Sequence, residues 1–125
     1  MDLKGKKVVV VGAARSGIAA ADLACERGAA VGITDARPLP DLEKALTGLK
    51  DRPRVLVEAG GHTPSFIQEA DLVVASPGVR RDAPPLQWAR EKGIEVMGEI
   101  EFAWRFCAKP VIAVTGSNGK TTTVN

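Results

Sequence analysis

A run of four valines, Val8–Val11, passes directly into Gly12-Ala13-Ala14-Arg15-Ser16-Gly17. No other stretch narrows the fold as much. An unbroken β-branched run is what a strand shows when both its faces are covered, as in a parallel sheet. The residues after it follow the G-x-G-x-x-G fingerprint of a strand–turn–helix unit, with Ala14 in place of the middle glycine. Gly12 permits the tight turn, Gly17 lets helix and strand pack closely, and the helix start offers free amides to a phosphate. Ala14 adds one methyl where such a backbone approaches a pyrophosphate. A tight turn that binds nothing is the alternative reading of the same six residues.

The rest of the chain repeats the alternation of short β-branched runs with helical stretches. Residues 15–28 are alanine-rich and stop at Gly28, a natural helix C-cap. Strands are expected at Ala30–Asp35, Arg54–Val57, Asp71–Ala75 and Ile94–Met97. Helices are expected at Asp41–Leu49, near Pro64–Glu69, at Pro85–Lys92 and at Glu99–Ala108, the last with Ile100, Ala103, Trp104 and Cys107 on one side. This βαβ pattern predicts an α/β fold, a Rossmann-like open parallel sheet of about five strands with helices on both faces. Trp88 and Trp104 fall at helical positions and read as packing anchors.

Ligands of open α/β sheets bind outside the carboxyl ends of the strands. Asp35 ends the second strand, 18 residues after Gly17, where a dehydrogenase would hold a ribose hydroxyl. Arg37 beside it can pair or stack as a planar guanidinium. Ser76-Pro77-Gly78 follows the fourth strand, across from the glycine loop; its plainer reading is a turn. His62, the sole histidine, reads as an exposed loop residue. Glu99 and Glu101 point different ways from a helix start and read as compensating its dipole.

A second phosphate-loop candidate closes the chain. Val111–Val114 reads as a buried strand leading into Thr115-Gly116-Ser117-Asn118-Gly119-Lys120-Thr121-Thr122. Its spacing is tighter than the strict Walker pattern, yet Lys120 can serve β/γ oxygens and Thr121 a magnesium ion. Residues 1–109 are therefore expected to form one domain, and residues 110–125 the start of another, as though a longer enzyme were cut there.

Composition excludes several classes. A net charge of +2, with basic and acidic residues interspersed, gives no nucleic-acid or membrane surface. No apolar run reaches the ~18 residues of a membrane span. Cys25 and Cys107, far apart and without a CxxC pair, suit free thiols in a reducing cytoplasm and no metal site.

The ordered set Gly12–Gly17, Asp35 with Arg37, Ala75-Ser76-Pro77-Gly78-Val79, Gly98-Glu99-Ile100-Glu101 and Val114–Thr122 resembles the N-terminal part of the bacterial Mur ligases. Within that family it is most similar to the branch that joins D-glutamate to UDP-N-acetylmuramoyl-L-alanine in peptidoglycan synthesis. The resemblance implies a UDP-binding domain followed by an ATPase domain, in a cytoplasmic, monomeric ligase. Its reaction would convert the substrate carboxylate to an acyl phosphate with ATP and magnesium, and the D-glutamate amine would then displace phosphate. By resemblance, Arg15, Ser16 and Gly17 would hold the diphosphate. Asp35 and Arg37 would address uracil, with Ser76, Pro77 and Gly78 across from them. Ser117, Asn118, Gly119, Lys120, Thr121 and Thr122 would bind ATP, with Thr121 also on magnesium. No catalytic residue falls within the chain, which needs no cofactor to bind UDP and is expected to be inactive alone. An NAD(P)-binding dehydrogenase or nucleotide-sensing domain and a noncatalytic docking module are the rival readings.

Overall fold

The computed structural model describes residues 3–49 and 55–106. Strand β1 (Lys7–Val11) leads to α1 (Arg15–Glu26) and β2 (Ala30–Asp35). Then come α2 (Leu39–Leu46), a 3₁₀ turn (Thr47–Leu49) and β3 (Val55–Ala59). The chain continues through α3 (Pro64–Gln68), β4 (Leu72–Ala75), α4 (Pro84–Glu91), β5 (Glu95–Gly98) and α5 (Glu99–Phe106). All five strands are parallel, in the order β3-β2-β1-β4-β5.

The alternation of side chains along β1 separates two cores. Val8 and Val10 pack with Val31, Ile33 and Val74 against Ala20, Ala21 and Ala24 of α1, Leu42 of α2 and Phe102 of α5. Val9 and Val11 pack with Val73 against Ile67 of α3 and Leu86 and Ala89 of α4. The three helices α1, α2 and α5 thus cover one face, and α3 and α4 the other. That explains why β1 reads as a continuous apolar run: Val8–Val11 are all buried.

Small differences from expectation have local causes. Helix α2 starts at Leu39 because Pro40 occupies its first turn, where a missing N–H costs nothing. Strand β3 runs on through Glu58 and Ala59, paired with Thr34 and Asp35. On α5 the buried apolar residue is Phe102, whereas Ile100 and Trp104 are 74% and 63% exposed. Trp104 is therefore no packing anchor. Helix α5 follows β5 without a connecting loop, and this fixes which side of the helix meets the sheet. Trp88 is half-buried and packs on the second core. The expected strand at 111–114, the second phosphate loop, Cys107 and the boundary near residue 109 lie outside the described residues.

Candidate functional site

The site is built by register. Val11 pairs with Thr34 on one side and Ala75 on the other, so Gly12, Asp35 and Ser76 leave the three central strands at one level. The ladder continues into the turns, with Gly12 N–H donating to the Thr34 carbonyl (2.8 Å) and Ser76 N–H to that of Val11 (3.1 Å). From β1 the chain winds out to β2 and β3, then crosses back to β4 on the other side of β1. This is the topological switch point at which open sheets leave a crevice.

The glycine loop has little room there. Gly12 has φ +99°, a left-handed conformation, and a Cβ on it would lie 2.8 Å from Ser76 Oγ. A Cβ on Gly17 would run into the Gly12 carbonyl and come within 3.0 Å of Ser76 Oγ and 3.2 Å of Glu99 Oε2. Both glycines are thus required by close approach. Helix α1 has Ala14 at its N-cap and no side-chain cap. Its first turn is closed by Ile18 N–H donating to the Ala14 carbonyl at 2.9 Å. The amides of Arg15, Ser16 and Gly17 precede that bond and have no intrahelical acceptor, so they and the helix dipole suit an anion.

Asp35 and Arg37 come together as the sequence suggests, but on each other. Asp35 Oδ1 accepts from the Arg37 amide (2.8 Å) and Nε (3.1 Å). Its Oδ2 accepts from Arg37 Nη2 (2.9 Å) and the Ala13 amide (2.8 Å). Burial, with Asp35 only 7% exposed, works to raise its pKa. The Arg37 side chain, the two amides and the Arg37 charge outweigh that and bring it down to about 2. The same pairing raises the pKa of Arg37, whose side chain remains half exposed.

Ser76 is buried and also engaged. Its Oγ lies 2.7 Å from Glu99 Oε2 and 3.0 Å from the Gly12 carbonyl, tying the turn after β4 to α5 and to the glycine loop. Pro77 and Gly78 are exposed beside it. Ser16 and Pro77 line a cavity of about 460 Å³ with Glu99, Phe102 and Ala103, bounded by α1 and α5.

Two features escape a linear reading. Glu99 is buried and bonded to Ser76 instead of lying free at a helix start; its place at the end of β5 was the available signal. Glu101, in contrast, is exposed and pairs with Arg105 at 3.2 Å. His62 is half-buried, not a free loop residue: its Nδ1 lies 2.7 Å from Thr34 Oγ1. Thr34 Oγ1 also lies 2.7 Å from Glu58 Oε1, and Glu58 Oε2 accepts from Thr63 Oγ1 at 2.6 Å. Burial pushes the Glu58 pKa up, but the hydroxyls of Thr63 and Thr34, the Thr63 amide and the His62 charge together leave it lowered. This network fastens the loop after β3 to the end of β2. That same loop donates from Gly60 to the Arg37 carbonyl (2.7 Å) and from Gly61 to the Asp35 carbonyl (3.3 Å).

Among the described residues, no group of three His, Cys, Asp or Glu side chains is placed to hold a metal ion. No helix among them is long and apolar enough to cross a membrane.

Residues 6–98 match the family described as Mur ligase MurD-like, N-terminal domain. The UDP-N-acetylmuramoylalanine–D-glutamate ligase of Acidobacterium capsulatum is 46% identical over 125 residues, all of this chain and 27% of that protein. The protein of the same name from Desulfosudis oleivorans is 48% identical over 122 residues, 98% of this chain and 26% of that one. The chain therefore spans about a quarter of the length of the curated relatives it matches. Among solved structures, a pseudomurein peptide ligase type C from Methanothermus fervidus aligns over 94% of this chain and 24% of its own. Its TM-score is 0.63 at 28% sequence identity.

Proposed function

The chain belongs to the Mur ligase family as a MurD-like N-terminal domain, and from that premise we propose that it binds the UDP portion of UDP-N-acetylmuramoyl-L-alanine. The observation that carries the reading is the convergence of Gly12, Asp35 and Ser76 at the switch point, beside the uncapped start of α1. The amides of Arg15, Ser16 and Gly17, with the Ser16 hydroxyl, take the diphosphate. Asp35 and Arg37 take the uracil, and Ser76, Pro77 and Gly78 form the opposite wall. A dehydrogenase would turn the carboxylate at the end of β2 to a ribose diol. Here a half-exposed guanidinium stands beside that carboxylate, a planar group able to stack on or pair with a base, which supports the UDP reading.

The names of the curated relatives support a ligase that joins D-glutamate to this substrate. We assign residues 1–109 to UDP binding and residues 110–125 to the start of an ATP-binding domain. In that domain Ser117, Asn118, Gly119, Lys120, Thr121 and Thr122 hold ATP, and Thr121 also holds magnesium. That assignment stands on the sequence, because those residues lie outside the described ones. ATP supplies the phosphoryl group that makes the substrate carboxylate an acyl phosphate; displacement by the D-glutamate amine then forms the amide and releases phosphate. The UDP domain's share of that work is positioning, and catalysis is assigned elsewhere in the ligase. We place the protein in the cytoplasm, acting as a monomer.

Titration with UDP and with NADH, followed by ¹H–¹⁵N chemical shifts, tests the reading. UDP is expected to move the amides of Ser16, Asp35 and Gly78, and NADH to leave them in place. Binding of NADH in preference to UDP would overturn it.

A further inference from the structure

The loop after β3 holds the backbone of both residues that the UDP reading turns to the base, yet that reading gives its side chains no part. Gly60 N–H donates to the Arg37 carbonyl at 2.7 Å, and Gly61 N–H to the Asp35 carbonyl at 3.3 Å. Gly60 and Gly61 have φ of +81° and +149°, and a Cβ built on either meets nothing within 4 Å. Backbone angle, not space, requires glycine at both. Two consecutive glycines lose much conformational freedom on ordering, so their two hydrogen bonds need a further anchor.

Glu58 supplies it. The residue pairs with Thr34 in the register of β2 and β3. Its Oε2 accepts from the Thr63 hydroxyl at 2.6 Å, and its Oε1 from the Thr34 hydroxyl at 2.7 Å and the Thr63 amide at 3.2 Å. With its pKa lowered, Glu58 is ionised at neutral pH and can only accept. Thr34 has one proton to give, and the carboxylate takes it. The 2.7 Å contact between Thr34 Oγ1 and His62 Nδ1 then requires the imidazole to donate. The proton of neutral His62 is thereby assigned to Nδ1. Hydrogen bonds run in one direction, from His62 to Thr34 to Glu58. They bind residues 62 and 63, beyond the two glycines, to the strands that precede them.

We propose that Glu58 is a positioning residue for base recognition: it fixes the Gly60–Thr63 loop, and the loop fixes the backbone of Asp35 and Arg37 beside the bound uracil. This rests on the UDP reading and adds to it residues that touch no ligand. The Arg37 guanidinium is half exposed, so where it stands depends on how firmly its backbone is held. The diphosphate is taken by the start of α1, on the other side of Asp35 along the crevice. Loss of Glu58 therefore falls on the base and spares the phosphates.

Calorimetric titration with UDP, CDP and inorganic pyrophosphate separates these effects. Glu58→Ala is expected to bind UDP about fivefold more weakly, roughly the worth of one hydrogen bond, and to narrow the preference for UDP over CDP by the same factor. Pyrophosphate, which has no base, is expected to bind wild type and variant alike. In an Arg37→Ala background, Glu58→Ala is expected to change UDP affinity by less than about twofold, because the residue it positions is gone. Thr63→Val, at an exposed position, removes one donor to Glu58 and is expected to narrow the preference in the same direction by less. A last measurement needs no variant: the ¹⁵N signals of the neutral His62 ring are expected to show the proton on Nδ1. An unchanged UDP-to-CDP ratio in Glu58→Ala overturns the positioning role and leaves the UDP reading standing. Equal weakening of pyrophosphate, additive losses with Arg37→Ala, or a proton on Nε2 also overturns it. Should Glu58→Ala not fold, Thr63→Val and the His62 tautomer decide. If wild type does not bind UDP at all, both readings fall together.

Discussion

Replacing Asp35 with asparagine tests the centre of the site, because four N–H groups converge on its carboxylate. The Ala13 amide and three donors of Arg37 lie between 2.8 and 3.1 Å from it. Asparagine keeps one acceptor oxygen and turns an NH₂ group toward donors. Either the Ala13 amide or the Arg37 fork is then left unpaired. Ala13 is buried, so an orphaned amide there costs ~1–3 kcal/mol. The ionisation gives a separate measure. A carboxyl held at about 2 instead of 3.8 corresponds to ~2.4 kcal/mol at most. Screening at the half-exposed Arg37 reduces this to ~1–2 kcal/mol. Both routes give about 2 kcal/mol at pH 7 for the asparagine variant.

The pH dependence follows from the direction of the shift. Because the folded pKa is depressed, the ionised Asp35 stabilises the fold above pH 4, and that contribution disappears as pH falls toward 2. About half of it should be gone by pH 3. Urea unfolding of wild type and Asp35→Asn at pH 7, 4 and 3 measures the difference directly. It should be constant between pH 7 and pH 5 and shrink below pH 4. A difference that stays flat down to pH 3, or equal stability at pH 7, refutes the argument that Arg37 and Ala13 hold the carboxylate ionised.

Gly17→Ala places a methyl against the Gly12 carbonyl, which is backbone and cannot swing aside. It should lose ~1–3 kcal/mol in thermal or urea unfolding and weaken UDP binding, whereas a wild-type melting temperature would contradict the close packing described. Thr34→Val removes the hydroxyl shared by Glu58 and His62. The cost should be ~1–2 kcal/mol, and an NMR titration should show Glu58 ionising at higher pH than in wild type, since one of its lowering contacts is gone. On α5, Phe102→Ala should cost ~3–5 kcal/mol while Trp104→Ser stays within ~0.5 kcal/mol. Reversal of that order in urea unfolding would mean the helix presents its other face to the sheet.

How much of this was legible in the sequence depended on how local the cause was. Val8–Val11, Gly12 and Gly17 declare strand, turn and close helix because each property belongs to the residue or its immediate neighbours. Asp35 and Arg37 were found together because the carboxylate ends a strand and its partner is two residues on. Ser76–Glu99 and Thr34–His62 span 23 and 28 residues and exist only because β4 lies beside both β1 and β5, and β3 beside β2. Nothing in a linear reading fixes that order. The buried face of α5 is hidden from a linear reading for a related reason. Helical spacing makes the Ile100–Trp104 side and the Phe102 side equally acceptable. The direct junction of Gly98 to Glu99 decides between them.

The polar groups at the carboxyl edge of the sheet are therefore engaged with one another, and this shapes how a nucleotide is recognised on the UDP reading. The Ala13 contact to Asp35 is buried and belongs to the glycine loop, so it persists whatever binds. The Arg37 guanidinium is the half-exposed partner, and its bond to Asp35 is the one that solvent and ligand reach. A base that donates to Asp35 exchanges one charge-assisted hydrogen bond for another of similar strength, which yields little net affinity. It yields discrimination instead, because a ring with an acceptor at that position faces a carboxylate with no proton to offer. Affinity must then come from the diphosphate on the α1 amides. On the UDP reading, the two functions would divide along the crevice, with selection at the end of β2 and binding strength at the start of α1.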